Sequence, residues 1–435
     1  MTDQIYYTDE GPRLTPPTQH GQISFFIIIM LLGYFFLSGF TQSIGSSAGQ
    51  GLAGRLIPAD VYMFFLALFG LASIRRVHLP AEYAAYIPFF LISGLTGIGS
   101  YIPRQAAIEL MVHIWAWLGS LIIFNIMAKA PEASPPLALR LLLYTSTVLA
   151  LLGFIHLFFL PSLFDVRAHG GVVGSFRNAG QSGSYMGMVL AVIIPGMLCG
   201  MIKPTWTHFS MVAIIIASLI FSTKRAAMIG LGLGYIGVLF LLIVYGGFKY
   251  KKLALQLLFA TILLIPIIYL GIEWGKENIE KMAYRLEHKL GEGALDKFSN
   301  NFFNENIGGA FDAVNDAPFF GVGMGNIAGV YTAKYEIHST YFKIMATGGL
   351  FGSIAYIIFM GTLAKSVLTN IGTKSREALF LLYFSPFLAG LVVSWIYTYH
   401  LRKREFWIIF AIVILISKVA AIKKQNARQN FIANY

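Results

Sequence analysis

Apolar stretches of about eighteen residues or more recur along the whole chain, and no other feature constrains its fold as strongly. A bilayer core about 30 Å thick is crossed by roughly 20 apolar residues of α-helix, at about 1.5 Å per residue. No water lies there to satisfy backbone amides, so only helices and closed barrels span it. Barrel strands would be short and alternating, unlike these runs. The expected fold is an all-α integral membrane protein of about twelve transmembrane helices with one large extracytoplasmic helical loop. Composition agrees: 12% of residues are charged, against about 25% in soluble domains.

The candidate spans are Ile23–Phe40, Ile57–Ile74, Tyr83–Tyr101, Ala106–Met127, Leu141–Leu160, Tyr185–Met201, Met211–Ser222, Ala226–Tyr245, Leu253–Ile272, Ser339–Leu363, Ala378–Tyr399 and Phe406–Ile422. Residues 1–21 read as a loose cytoplasmic tail, with Gly11, Pro12, Pro16 and Pro17 as loop formers. Residues 22–272 hold the first nine spans, 273–337 the large outer loop, 338–422 the last three spans, and 423–435 a second cytoplasmic tail. Within the loop, Ile279, Met282, Ala283, Leu286 and Leu290 recur at helical spacing among charges, which suits a helix lying on a membrane surface. A short helix is expected around Ile307–Val314.

With the N-terminus inside, lysine and arginine concentrate in the inner loops, from Arg75 and Arg76 to Lys423 and Lys424, as the positive-inside rule requires. This implies a multi-pass membrane protein with its large loop on the outer side. The exceptions are Arg55, Arg104, Arg167, Arg177, Lys224, Arg225 and the cluster Arg402-Lys403-Arg404, which fall outside and call for a role besides topology. The net charge of +12 does not imply nucleic acid, because the basic residues are dispersed in short loops between spans. The single cysteine, Cys199, excludes an intrachain disulfide.

Three polar motifs fall on the outer face. Gly174-Ser175-Phe176-Arg177-Asn178-Ala179-Gly180-Gln181-Ser182 precedes the sixth span. Ser222-Thr223-Lys224-Arg225 joins the seventh to the eighth. Pro318 leads into Gly321, Gly323 and Gly325, then His338-Ser339-Thr340-Tyr341 opens the tenth span, which continues into Gly348-Gly349-Leu350-Phe351-Gly352. An imidazole at that boundary can be hydrated enough to accept a proton and shielded enough to hold its geometry. Arginine and lysine groups gathered there suit a diphosphate, since guanidinium forks match phosphate oxygens. Structural roles exist for the same residues. His338 can cap a helix, Arg177 can anchor at the headgroups, and the glycines can serve a turn. No strand or Lys-Ser/Thr accompanies the glycines, so they do not read as a nucleotide loop. Glu109 and His113 share one face of the fourth span, where pairing with Arg104 or another helix is the favoured reading. There is no Asp-x-Asp and no His-x-x-x-His, and no metal site is expected.

These motifs, in this order, resemble the O-antigen ligase and polymerase family, bacterial membrane enzymes that transfer glycans from lipid carriers. The similarity extends over about residues 165–365, with Ser339 where relatives often carry Asn. It implies His338 near the acceptor as general base, and Arg177, Lys224 and Arg225 on the carrier diphosphate. Asn178, Gln181, Ser339, Tyr341, Gly321, Gly323 and Gly325 would be supporting residues. Many relatives carry an arginine shortly before the glycine turn; here the nearest is Arg285, well upstream. The resemblance implies a place in the bacterial inner membrane with the site facing the periplasm, no cofactor, an oligosaccharide on undecaprenyl diphosphate as donor, and a flippase and a chain-length regulator as partners beside the bilayer. Polymerisation of repeat units into O-antigen or exopolysaccharide is the leading expectation. Ligation to the lipid A core is the alternative within the family, a cell-wall polymerase of the shape, elongation and division type a further enzyme, and a flippase the rival from another class.

Overall fold

The computed structural model describes residues 6–8, 11–13, 25–41, 57–73, 77–99, 101–159, 172–244, 302–327, 330–332 and 337–433, with single positions between 266 and 277. Its helices are α1 (Phe25–Ser38), α2 (Pro58–Ser73), α3 (Ala81–Ala84), α4 (Ile87–Ile98), α5 (Pro103–Met127), α6 (Ser134–Phe158), α7 (Ala179–Leu198), α8 (Trp206–Phe221), α9 (Arg225–Val244), α10 (Gly309–Asp316), α11 (Thr340–Thr369), α12 (Arg376–Ser394) and α13 (Arg404–Ala433). A π-helical segment, Phe302–Gly308, leads into α10. In the N-terminal region, Tyr6–Thr8 pairs antiparallel with Gly11–Arg13, where the sequence suggests only a loose tail.

Among the described residues, eight helical spans are long and apolar enough to cross a membrane, and three shorter apolar helices accompany them. The fold is that of an all-α membrane protein. Helices lie at eleven of the expected spans, three of them shorter than a membrane crossing; most of Leu253–Ile272 lies outside the described residues, as does the amphipathic stretch 279–290. Two expected spans differ. Tyr83–Tyr101 is two helices, α3 and α4, stepped at Ala85 and Tyr86 just before Pro88, which has no amide to donate back to α3 and sits in the first turn of α4. Ala378–Tyr399 ends at Ser394, and residues 395–403 form a loop.

That loop is tied down from two sides. The Thr340 amide donates to the Trp395 carbonyl at 2.9 Å, and the Thr340 hydroxyl to the Thr398 carbonyl at 2.6 Å. Trp407 Nε1 donates to the Leu401 carbonyl at 2.7 Å. Carbonyls that would have continued a helix are drawn into tertiary bonds instead. The next helix, α13, is the buried axis of the bundle, with Trp407, Ile412 and Ile416 wholly enclosed and α5, α6, α7, α11 and α12 packed around it. Glycines let α9 and α12 touch: a side chain at Gly390 would meet the Gly230 carbonyl. Such small-residue contacts are how apolar helices associate where no hydrophobic effect acts between them.

Helix α11 is broken inside. Gly349 has φ 55° and ψ −150°, which leaves backbone groups on both sides without helical partners. The turn 318–325 supplies them. The Val322 and Gly323 amides donate to the Ala346 and Thr347 carbonyls at 2.9 and 3.0 Å, and the Leu350 and Phe351 amides donate to the Pro318 and Phe319 carbonyls at 2.9 and 3.0 Å. Gly321, Gly323 and Gly325 all take positive φ. At Gly323 a Cβ would overlap the Gly97 backbone of α4, so both the conformation and the close approach demand glycine. Asn326, fully buried, accepts from the Ile102 amide at 2.8 Å and donates to the Val322 carbonyl at 3.0 Å, which fixes the turn against the start of α5.

Candidate functional site

One cavity of about 320 Å³ opens at the end of the bundle where α2, α5, α7, α9, α11 and α13 begin. Its walls come from several separate stretches of the chain, Ile57 at the start of α2 among them. Ser38 and Thr41 line it from the end of α1, Glu109 and Val112 from α5, and Arg177, Asn178, Gly180, Gln181 and Ser184 from the start of α7. Lys224 enters from the 222–225 turn, and Ile337 and His338 from just before α11. Tyr397 to Tyr399 and Arg402 to Glu405 complete the lining.

Local structure explains each placement. Asn178 is the N-cap of α7: its Oδ1 accepts from the Gln181 amide at 2.9 Å. Gln181 Oε1 accepts from the Thr41 hydroxyl at 2.6 Å, and Thr41 Oγ1 accepts from the Arg177 amide at 2.8 Å. Thr41 thus fixes both Gln181 and the Arg177 backbone, and the Arg177 side chain is exposed along the cavity wall. Thr223 has φ 54°, an uncommon value for a β-branched residue, in the turn that crosses α7. That crossing needs Gly183, where a Cβ would strike Ser222 Oγ and Lys224 Cβ. Lys224 reaches the cavity in this way, whereas Arg225, the first residue of α9, does not line it.

His338 is exposed and precedes the N-cap of α11, Ser339, whose hydroxyl oxygen accepts from the Phe342 amide at 3.5 Å. Ser339 and Tyr341 support the segment without lining the cavity; Tyr341 donates to the Val392 carbonyl at 2.7 Å. The glycine turn lies outside the cavity too, and serves the break in α11. Arg177, Asn178, Gln181, Lys224 and His338, distant in sequence, therefore share one wall system, while Arg225, Ser339, Tyr341, Gly321, Gly323 and Gly325 stand behind it or apart from it.

Several groups were not foreseen as site residues. Glu109, 2% exposed at its side chain, pairs with Arg402 rather than Arg104: Nη1 donates to Oε1 at 3.1 Å and to Oε2 at 3.3 Å. His113 takes Tyr399 Oη at 2.6 Å and the Glu109 carbonyl at 2.8 Å. Arg404 makes a two-pronged pair with Asp60, Nε to Oδ1 at 2.9 Å and Nη2 to Oδ2 at 2.5 Å. Their signals in the sequence are the ionisable pair Glu109 and His113 on one face of a span, and the cluster Arg402-Lys403-Arg404 in a loop read as outer, against the positive-inside bias. Burial lowers the pKa of the Lys403 ammonium to about 8; Glu405 partly opposes the shift and Arg402 adds to it. Burial, with Lys403 and Lys224 nearby, keeps His400 neutral. The lining carries Arg177, Lys224, Arg402, Lys403 and Arg404 against the carboxylates Glu109 and Glu405, a net cationic balance that suits an anion. Among the described residues, no three His, Cys, Asp or Glu side chains gather to hold a metal ion.

Residues 209–357 match the family model described as O-antigen ligase. The match covers about a third of the chain, and over those residues the chain is similar to O-antigen ligases. The matched segment contains Lys224, the glycine turn, the break at Gly349 and His338, but neither Arg177 nor the 402–404 cluster. Among curated proteins, none matches the chain.

Proposed function

We propose that the cavity binds the diphosphate of a lipid-linked oligosaccharide and transfers its glycan to an acceptor hydroxyl. The observation that carries this is the convergence of Arg177, Lys224 and His338, from three separate motifs, on one cavity at a helix-terminal face. The acceptor oxygen attacks the anomeric carbon as the bond to the diphosphate breaks, and the diphosphate leaves with the bonding pair. His338 takes the acceptor proton, a role worth about 10²–10⁴-fold. Arg177 and Lys224 stabilise the charge that develops on the leaving group, with no metal required for it. The donor is read as undecaprenyl diphosphate-linked, the face as periplasmic, and the reaction as polymerisation of repeat units.

A second reading, ligation to a lipid A core, has the wording of the family match in its favour. The two differ in acceptor, so one assay separates them. Purified protein in lipid receives the lipid-linked oligosaccharide with excess EDTA, alone or with lipid A core. Elongation without core supports polymerisation; transfer only with core supports ligation. His338→Ala should abolish either, and Arg177→Lys should impair it strongly, because lysine lacks the planar fork. Full turnover by a well-folded His338→Ala protein would remove His338 from the chemistry, and activity restored only by a divalent ion would end the metal-free reading.

A further inference from the structure

The loop 395–403 carries three consecutive cations into the site from outside the family-matched segment: Arg402, Lys403 and, at the first position of α13, Arg404. Topology does not account for them, since three positive charges in an outer loop oppose the insertion bias. Nor do their ion pairs alone. Asp60 and Glu109, both buried, neutralise Arg404 and Arg402, yet both arginines still line the cavity, and 31% of the Arg402 side chain is exposed. Between them stands Lys403, also on the wall, which makes no ion pair among the described residues. A loop meant only to fold could bury apolar groups here at no greater cost, because a buried ion pair seldom outdoes a hydrophobic replacement. Arg402 is anchored to Glu109 through Nη1 and lines the cavity at the same time.

We infer that Arg402 and Lys403 form the second half of the diphosphate site, in the same cavity as Arg177 and Lys224. Glu109 and Asp60 are the positioning residues that hold this half in place. The ligand class is a polyprenyl diphosphate, whose two phosphoryl groups need more cations than one wall supplies. The assignment rests on the diphosphate reading above. Thr340 links the two, since its bonds to Trp395 and Thr398 fasten the loop to the residues just after His338.

The test is direct binding to the full chain in lipid nanodiscs, with farnesyl diphosphate, farnesol and inorganic pyrophosphate as probes. Arg402→Gln alone leaves Glu109 buried and unpaired, so its failure could reflect misfolding. The double variant Glu109→Gln/Arg402→Gln replaces the ion pair with a neutral one and removes that ambiguity. Wild type should bind farnesyl diphosphate in preference to farnesol and pyrophosphate. The double variant and Lys403→Gln, with unchanged thermal unfolding, should each bind about ten- to a hundredfold more weakly, the range of a charge-assisted hydrogen bond. Restored wild-type affinity in the double variant would show that the pair only builds the fold, and would overturn this assignment while leaving Arg177 and Lys224 as the clamp. Failure of wild type to bind farnesyl diphosphate would overturn both the assignment and the diphosphate reading beneath it.

Discussion

Lys403 sits between two arginines already matched by carboxylates, and its ammonium is held at about 8 mainly by burial. The protonated form predominates below that value and is lost above it. Its direct neighbours in charge are Glu405, which favours the proton, and Arg402, which disfavours it. Affinity for a polyprenyl diphosphate should therefore fall as pH rises through about 8, by up to tenfold per unit if one proton is coupled to binding. Lys403→Arg keeps its charge throughout and should flatten that decline; titrations of both proteins from pH 6 to 10 check this. Residue identity at the site was legible in part. Arg177, Lys224 and His338 could be singled out because each is polar where its span begins. Which of Lys224 and Arg225 enters the cavity could not be read, because the choice depends on the contact at Gly183 in another helix. Likewise the partner of Arg402 is Glu109, 293 positions away, and no local pattern reports it.

The turn 318–325 and the broken helix α11 form one unit, joined by backbone bonds that no side-chain change deletes. Its vulnerable points are the glycines. Gly323→Ala should destabilise the protein by more than the roughly 1–3 kcal/mol of a strained backbone position, because the added methyl also meets the Gly97 backbone. The measurement is thermal unfolding in detergent. A melting temperature equal to wild type would show that α4 and the turn can separate freely, contrary to the close approach seen. Helices were the readable elements, since an apolar run is a local property. The loop 395–403 was not, because Trp395, Ile396, Tyr397 and Tyr399 look like the continuation of a span. Its ending is decided by α11 and α13, which capture the carbonyls of Trp395, Thr398 and Leu401. The glycine spacing announced a turn; its service to the gap at Gly349 could be seen only once the two segments met.

At the scale of the molecule, six helices begin at the cavity end, so the positive poles of their backbone dipoles add to the side-chain cations there. Smaller ion pairs hold the bundle elsewhere: Lys418 meets Glu82 at 2.8 Å, and Lys423 meets Glu377 at 3.0 Å. The pairs Asp60–Arg404 and Glu109–Arg402 have a consequence for how the chain is made. Their acids emerge early in synthesis and their bases near its end, separated by 344 and 293 positions. In the proposed orientation the final loop must cross the membrane carrying three positive charges, against the usual bias. It finds its counterions only if α2 and α5 are already in place to receive it. The early helices would then act as a template for the last insertion step, and the N-terminal half would be checked before the C-terminus is set. A reporter fused after Tyr435 tests this: Asp60→Asn with Glu109→Gln should strand a fraction of chains with the C-terminus on the wrong side. Uniform topology in that variant would mean that the last loop crosses unaided and that pairing follows afterwards.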